Sequence, residues 1–173
     1  MKIRSVLILT ILAASMALSS CASNKKKPTE GLDNSADTTT LDNGNNSGMS
    51  LDVNGDSDSN RAGALKTVYF AYSSAAIAGD TKDTLNANAD FLKKNAAVKV
   101  QVEGHCDERG SVQFNLALGE KRAKSVRDYL VAQGVSASRI TVISLGKEKP
   151  VSFGHDEESW SKNRRGNFLV TEK

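Results

Sequence analysis

The chain has 173 residues, a net charge of +3 and 39% hydrophobic residues. This length is typical of one domain, alone or with a tail. The sequence contains only two cysteines, Cys21 and Cys106, so the protein is not a small scaffold held together by disulfides.

The first twenty residues have the layout of a secretory signal peptide. Lys2 and Arg4 give a positive start, and an apolar run from Val6 to Leu18 follows. The run is short for a bilayer span, although a single anchoring helix is the alternative interpretation. We therefore predict that residues 1–20 are removed during export.

The end of this segment, Leu18-Ser19-Ser20-Cys21, resembles a bacterial lipobox, in which the signal peptide is cut just before the cysteine. The resemblance implies that Cys21 carries acyl chains, such as palmitate, on its sulfur and its new amino group. An unmodified cysteine is the alternative. Two or more acyl chains hold a protein stably in a membrane. Ala22 stands where an aspartate favours inner-membrane retention in enterobacteria, so by analogy the anchor lies in the outer membrane and the protein faces the periplasm.

Residues 21–64 are predicted to form a flexible acidic linker. From Pro28 to Asn60 there is no Lys or Arg, and there are seven Asp or Glu among mainly Asn, Ser, Thr and Gly. Such a segment buries too little apolar surface to offset the entropy of ordering it. A lipid anchor with a long tether predicts a folded head, residues 65–173, that works away from its membrane.

The head is predicted to be an α/β fold, an α+β sandwich with the order β-α-β-α-β-β, in which helices pack on a mixed sheet. The predicted strands are residues 68–72, 98–102, 140–145 and 166–171, from their β-branched and alternating residues. The first helix has an apolar face of Leu85, Ala89 and Leu92. The second, from about residue 114 to 133, has an apolar stripe of Leu116, Ala123, Val126 and Leu130.

The loop GHCDERG, residues 104–110, concentrates chemistry between the second strand and the second helix. Adjacent side chains in extended backbone point to opposite sides, so His105, Cys106 and Asp107 rarely converge on one metal ion. His155 completes no metal-binding spacing. Thiol catalysis needs a base within reach of the Cys106 sulfur, and His105 beside it usually points away. We expect no metal, no cofactor and no enzymatic activity.

Charge recognition is the remaining interpretation of this loop. Asp107 can accept from an ammonium group, and the guanidinium of Arg122 can bind a carboxylate with two hydrogen bonds. A ligand with an amine and a carboxylate on one carbon suits that pair. The alternative is that Asp107 and Arg122 pair with each other or face solvent.

Residues 102–135, VEGHCDERGSVQFNLALGEKRAKSVRDYLVAQGV, contain G-H-x-D-E-R-G followed by N-x-x-L-G-x-x-R-A-x-x-V. This pattern resembles the OmpA-like peptidoglycan-binding domain family and, within it, the peptidoglycan-associated lipoproteins of the Tol–Pal system. The stretches ISLGKEKP and GHDEESWSKNRRGNFLV are also similar to the family, so the resemblance covers about residues 67–170.

The resemblance implies a site for the diaminopimelate of a peptidoglycan stem peptide. Asp107 and Arg122 would hold its amine and carboxylate. Asn115 and Leu118 would add a hydrogen bond and an apolar wall, and the backbone from Gly104 through Cys106 to Asp107 would offer amides. His105 is expected to orient or pack rather than bind.

The resemblance also implies a function. The lipoprotein would tether the outer membrane to the cell wall, bind a TolB-like periplasmic β-propeller, and act in envelope integrity and cell division. No nucleic-acid partner is expected. The alternatives are a wall-binding OmpA-like lipoprotein without a Tol partner, or an enzyme that uses Cys106 and His105 on wall peptides.

Three departures or open points accompany the resemblance. Ala71 and Ser73 stand where the family often has acids, which predicts weaker or altered recognition of the ligand's amine. Cys106 replaces a usual Thr or Ala and is expected to be a packing residue. The run Asn163-Arg164-Arg165 is expected either to close one side of the site or to cap the last strand.

Overall fold

The computed structural model describes residues 50–173. The predicted signal peptide, the acylation of Cys21 and most of the predicted linker lie outside these residues. The strands are β1 (Val68–Tyr69), β2 (Lys99–His105), β3 (Ile140–Gly146) and β4 (Arg165–Glu172). The helices are α1 (Asp80–Lys94), α2 (Val112–Ala132) and α3 (Glu157–Asn163), and Ala137–Arg139 forms a 3-10 turn before β3.

The four strands form one mixed sheet in the order β1-β4-β2-β3. β4 runs antiparallel to both of its neighbours, whereas β2 and β3 are parallel. The predicted mixed α/β fold is therefore confirmed, with α3 as an additional helix. β1 is shorter than predicted because the chain turns after it, with Ser73 at a φ of 51°.

The core lies between one face of the sheet and helices α1 and α2. Leu85, Ala89 and Leu92 are buried along α1, as the sequence predicts. In α2 the predicted stripe is wrong at its start, because Leu116 is 39% exposed. The buried face begins instead with Asn115 and continues through Gly119, Arg122, Ala123, Val126 and Leu130. Leu116 lies one helical step, about 100°, away from this face.

Helix α2 approaches the end of β2 through two glycines. A Cβ atom on Gly104 would overlap the carbonyl oxygen of Gly119, so only glycine fits on the strand at this point. Glycine is the residue that permits such close backbone approach. The contact brings the loop after β2 and the buried face of α2 to the same place.

Residues 50–64 pack on the head, which corrects the prediction that the flexible linker extends to residue 64. β1 pairs with only the first two residues of β4, and a short segment takes the next part of that edge. The Asn54 amide donates to the Val170 carbonyl at 2.8 Å, and the Ser57 amide donates to Phe168 at 2.9 Å. Ala62 is completely buried. The amino-acid composition of residues 50–64 does not predict this packing, because backbone hydrogen bonds, rather than buried apolar surface, supply many of its contacts.

No helix among residues 50–173 is long and apolar enough to span a bilayer.

Candidate ligand-binding site

A narrow pocket opens where the loop after β2 meets the start of α2. Ser111 caps the helix, since its side-chain oxygen accepts from the Phe114 amide at 3.2 Å. The pocket is lined by Tyr72, Ser73, Cys106, Asp107, Arg109, Phe114, Asn115, Leu118 and Arg122. Five of the six residues predicted as ligand-binding therefore lie together. Gly104 does not line the pocket and instead forms the close contact with Gly119.

Asp107 is buried, and two arginines hold its carboxylate. Arg109 donates from Nη2 to Oδ2 at 2.6 Å, from Nε to Oδ1 at 3.2 Å, and from its backbone amide to Oδ1 at 3.1 Å. Arg164 donates from Nη1 to Oδ2 at 3.3 Å. Burial by itself raises the pKa of Asp107, but the hydrogen bonds from Arg109 and Arg164 outweigh it, so the pKa lies below its usual value. Asp107 is therefore a buried carboxylate that stays ionised.

Arg109 lies between two aromatic rings while it holds Asp107. Its guanidinium carbon is 4.0 Å from the ring centroid of Tyr72 and 4.0 Å from that of Trp160. Both contacts are cation–π interactions, which suit a planar guanidinium. Sequence reasoning did not identify Tyr72 and Trp160 as site residues. Tyr72 ends the predicted first strand and Trp160 lies in a distant segment, so no sequence spacing links the two rings to Arg109.

Arg122 is fully buried, and its guanidinium is held by backbone oxygens. Its side chain donates to three carbonyls: those of Ser74 at 2.8 Å, His105 at 2.7 Å and Ala71 at 3.0 Å. A fourth donation goes to the sulfur of Cys106 at 3.3 Å. Burial lowers the pKa of Arg122, although an arginine keeps its charge in proteins.

Arg122 forms no ion pair with any carboxylate in residues 50–173. Asp107 pairs with Arg109 and Arg164 instead, so the alternative of an Asp107–Arg122 pair is wrong. The alternative in which both residues face solvent is also wrong, because both are buried. A buried guanidinium without a carboxylate counter-ion therefore lies in the same pocket as a buried carboxylate.

Cys106 is a packing residue of the pocket wall. Its thiol donates to the carbonyl of Asn115 at 3.3 Å, and the Asn115 side chain donates to the carbonyl of Arg109 at 2.9 Å. Burial raises the pKa of Cys106, and the charge of Arg122 offsets this only in part. The thiol is therefore protonated near neutral pH, and the thiolate needed for nucleophilic attack is disfavoured.

The run Asn163-Arg164-Arg165 divides between different neighbours. Arg164 reaches Asp107 and also donates from Nε to the carbonyl of Phe70 at 3.0 Å, so it supports the Asp107 carboxylate from behind without lining the pocket itself. Arg165 pairs with Asp58 at 2.7 Å, on the segment that packs beside β4. The Asn163 side chain accepts from the Val151 amide at 2.8 Å.

The two positions where the family often has acids differ in their placement. The side chain of Ser73 lines the pocket. Ala71 contributes its carbonyl to Arg122 and does not line the pocket. Since β1 ends at Tyr69, the alternation of an extended strand does not relate these two positions. Among residues 50–173, no three side chains of His, Cys, Asp and Glu are grouped so as to hold a metal ion.

Comparison with known proteins gives consistent matches over the head. Residues 69–164 match the OmpA family. The chain is 48% identical over 102 residues to the peptidoglycan-associated lipoprotein of Pseudomonas aeruginosa, covering 59% of this chain and 60% of that protein. It is 38% identical over 160 residues to the peptidoglycan-associated lipoprotein of Rhizobium meliloti, covering 91% of this chain and 84% of that protein. The chain spans less than two thirds of the length of several curated relatives, including that of Pseudomonas aeruginosa.

A similar solved structure is that of the peptidoglycan-associated lipoprotein from Burkholderia pseudomallei. It has a TM-score of 0.58 and 41% identity, and it covers 60% of this chain and 88% of that one. The C-terminal domain of Helicobacter pylori MotB, at 23% identity and a TM-score of 0.57, shares the fold. The family match covers more than half of the chain, and the Rhizobium relative is matched over most of its length. The chain therefore belongs to the OmpA family and, within it, to the peptidoglycan-associated lipoproteins.

Proposed function

We propose that the head binds peptidoglycan noncovalently, and that the pocket beside Asp107 and Arg122 receives the diaminopimelate of a stem peptide. One observation carries this proposal: a buried guanidinium without a carboxylate counter-ion shares a pocket with a buried carboxylate. A group with an ammonium and a carboxylate on one carbon complements both charges. The names of the relatives support peptidoglycan as the source of that group.

The ligand's carboxylate is proposed to bind Arg122. A guanidinium has five N–H donors, and the contacts to three carbonyls and one sulfur use four of them. The remaining N–H can donate to a carboxylate in the pocket. Because the site is shielded from water, a charge-assisted hydrogen bond there is stronger than one at the surface.

The ligand's ammonium is proposed to bind Asp107 in place of Arg109. Asp107 accepts two hydrogen bonds from the Arg109 side chain, and Arg109 is 29% exposed, so its guanidinium can withdraw towards solvent. Arg164 is buried and remains as the fixed partner of the carboxylate. Leu118 and Phe114 then provide the apolar wall for the methylene groups of the ligand.

We propose that this pocket binds its ligand without catalysing a reaction. The thiol of Cys106 donates to a backbone carbonyl and contacts a guanidinium, and neither of these is a base. Incubation of the protein with muropeptides should therefore give no new products. Product formation that disappears in Cys106→Ala would support the alternative of an enzyme acting on wall peptides.

The anchoring function rests on the family and on the sequence before residue 50. We infer that acylated Cys21 holds the protein in the outer membrane facing the periplasm. The head then tethers that membrane to the wall, acts in envelope integrity and cell division, and binds a TolB-like β-propeller. Replacement of Cys21 by Ser should move the protein from the membrane fraction to the soluble fraction. Co-purification of a propeller protein distinguishes a Tol–Pal lipoprotein from a wall binder without a Tol partner.

The experiment that tests the site compares Asp107→Asn with the wild type in retention on purified sacculi and in calorimetry with a diaminopimelate-containing tripeptide. Loss of one side of a buried charge pair costs about 2–5 kcal/mol of binding free energy. Asp128→Asn is the matched control, since Asp128 is an exposed carboxylate whose only ion pair within residues 50–173 is with Arg127. Thermal unfolding shows whether each variant is folded. A folded Asp107→Asn protein that binds as tightly as the wild type would contradict the proposed role of Asp107 in ligand binding.

A further inference from the structure

A second groove lies on the sheet face opposite the core. Side chains alternate along β2 and β4, so Val102 and Phe168 enter the core while Glu103 and Asn167 face the other way. Two loops border these residues, one at residues 56–59 and the other at residues 149–151. The groove is separate from the Asp107 pocket, and the two share no lining residue.

His105 lies in this groove and lacks hydrogen-bond partners. It is 1% exposed, and neither ring nitrogen has a partner among residues 50–173. Its Nε2 is 3.6 Å from Oε2 of Glu103, which is too long for a good hydrogen bond. Buried polar side chains are nearly always hydrogen-bonded, so this exception marks the His105 end of the groove as a position where a bound ligand can add a partner.

The charges of the groove favour a neutral ligand. Three acids, Asp56, Asp58 and Glu103, stand against Lys149 and Arg165 here and Lys66 and Lys162 in the adjoining depression, so neither sign of charge dominates, and Asp58 is already paired with Arg165 at 2.7 Å. The His105 ring can donate a hydrogen bond, and the Glu103 carboxylate can only accept one. Hydroxyl and amide groups, which both donate and accept, satisfy this combination.

The groove continues onto an exposed aromatic ring. A neighbouring depression shares Asp58 and Val151 with it and is also lined by Thr67 and Tyr69. The Tyr69 side chain belongs to β1 and is 51% exposed. An aromatic ring with a free face and a polar hydroxyl offers apolar contact beside a hydrogen-bonding edge. A sugar ring has the matching apolar face and polar rim.

We propose that this open-face groove, from Tyr69 to His105, binds a chain of N-acetylated amino sugars, the glycan strand of the cell wall. The choice of wall glycan rests on the proposed function, since the wall would supply both the stem peptide for the Asp107 pocket and the glycan for the groove. Both sites lie near the carboxyl end of β2, since Glu103 and His105 line the groove and Asp107 follows two residues after the strand ends.

The test uses two probes that separate the sites, an N-acetylglucosamine tetrasaccharide without peptide and a diaminopimelate-containing tripeptide without sugar. Amide NMR signals of the full chain in detergent are followed as each is added. The tetrasaccharide should shift signals of Tyr69, Glu103, His105 and Asn167, and the tripeptide should shift those around Asp107. Tyr69→Ala and Glu103→Gln should each weaken tetrasaccharide binding about fivefold, as expected for one lost contact, and leave tripeptide binding unchanged. Asp107→Asn is the reciprocal control.

Three results would overturn the glycan site: no shifts up to millimolar tetrasaccharide, shifts centred on Asp107, or equal binding of a glucose tetrasaccharide. A failure of the tripeptide alone would instead contradict the function proposed for the Asp107 pocket. Tyr69 is half exposed, and glutamine has the same shape as glutamate. We therefore expect both Tyr69→Ala and Glu103→Gln to fold, and thermal unfolding curves check this.

Discussion

Asp107 and Arg122 line one pocket without pairing with each other. The carboxylate of Asp107 is held by Arg109 and Arg164, whereas the guanidinium of Arg122 is held by backbone carbonyls. The two opposite charges are thus fixed independently by the protein. Each remains in place for a ligand that carries the complementary charges, and each has a structural role of its own.

We expect Arg122→Ala to destabilise the head as well as to abolish ligand binding. The substitution leaves three carbonyls without their donor, and a single buried unsatisfied polar group costs about 1–3 kcal/mol. A loss of at least about 3 kcal/mol in the free energy of unfolding follows. Urea denaturation measures it, with Lys124→Ala as the control at an exposed position of the same helix. An unchanged urea midpoint for Arg122→Ala would show that these carbonyls do not depend on Arg122.

We expect Arg109→Gln to bind the diaminopimelate tripeptide more tightly than the wild type. Arg109 competes with the ligand's ammonium for Asp107, and a partly exposed ion pair of this kind is worth up to about 1 kcal/mol, or about fivefold in affinity. Calorimetry measures the change, and Lys162→Gln, which removes an exposed cation paired with Glu158, is the control. Weaker binding by Arg109→Gln would mean that Arg109 contacts the ligand rather than competing with it.

We expect Ser73→Asp to tighten tripeptide binding and Ala71→Asp to leave it unchanged. Ser73 lines the pocket at a positive φ, a backbone conformation that aspartate tolerates better than most residues. Ala71 does not line the pocket. The gain should be about 0.2–1 kcal/mol, because the position is exposed to solvent. Ser73→Asn isolates the effect of charge, and a gain of equal size in Asn would exclude an electrostatic cause.

We expect Asp107 to contribute stability at neutral pH that is lost in acid. Its pKa in the folded protein is lowered, so the contribution is fully present above the unfolded pKa of about 3.9 and is lost as pH falls through the folded pKa. The difference in urea midpoint between the wild type and Asp107→Asn should therefore shrink below about pH 4. A difference that stays constant from pH 7 to pH 3 would contradict the lowered pKa.

Periodicity and motif spacing predict the scaffold and the chemical pair. Alternating valines identify β2, and the i, i+4, i+7 pattern of Leu85, Ala89 and Leu92 identifies the buried face of α1. Asp107 and Arg122 come from one local motif that joins adjacent elements. Their surroundings come from distant parts of the chain: Tyr72 and Trp160 both contact Arg109, and Arg164 follows the end of α3. No local pattern encodes such contacts.

The error at Leu116 has a different origin. A hydrophobicity pattern assigns leucine to the core, but the buried face of α2 at that level holds Asn115, Gly119 and Arg122. Polar residues occupy this face because the pocket and the close approach to Gly104 require them. The hydrophobic pattern thus fails where the helix lines the Asp107 pocket.

The segment beside β4 determines where a mechanical load enters the head. Every residue before Ser50 joins the domain through this segment, so a pull on the N-terminal part of the chain acts first at residues 50–57. That load falls on the backbone hydrogen bonds between this segment and β4, and on the contact between the Lys173 ammonium and the Leu51 carbonyl. β1 lies further along the chain and is pulled away from β4 only after those bonds break. The contacts that such a pull breaks first therefore involve none of the residues that line the Asp107 pocket.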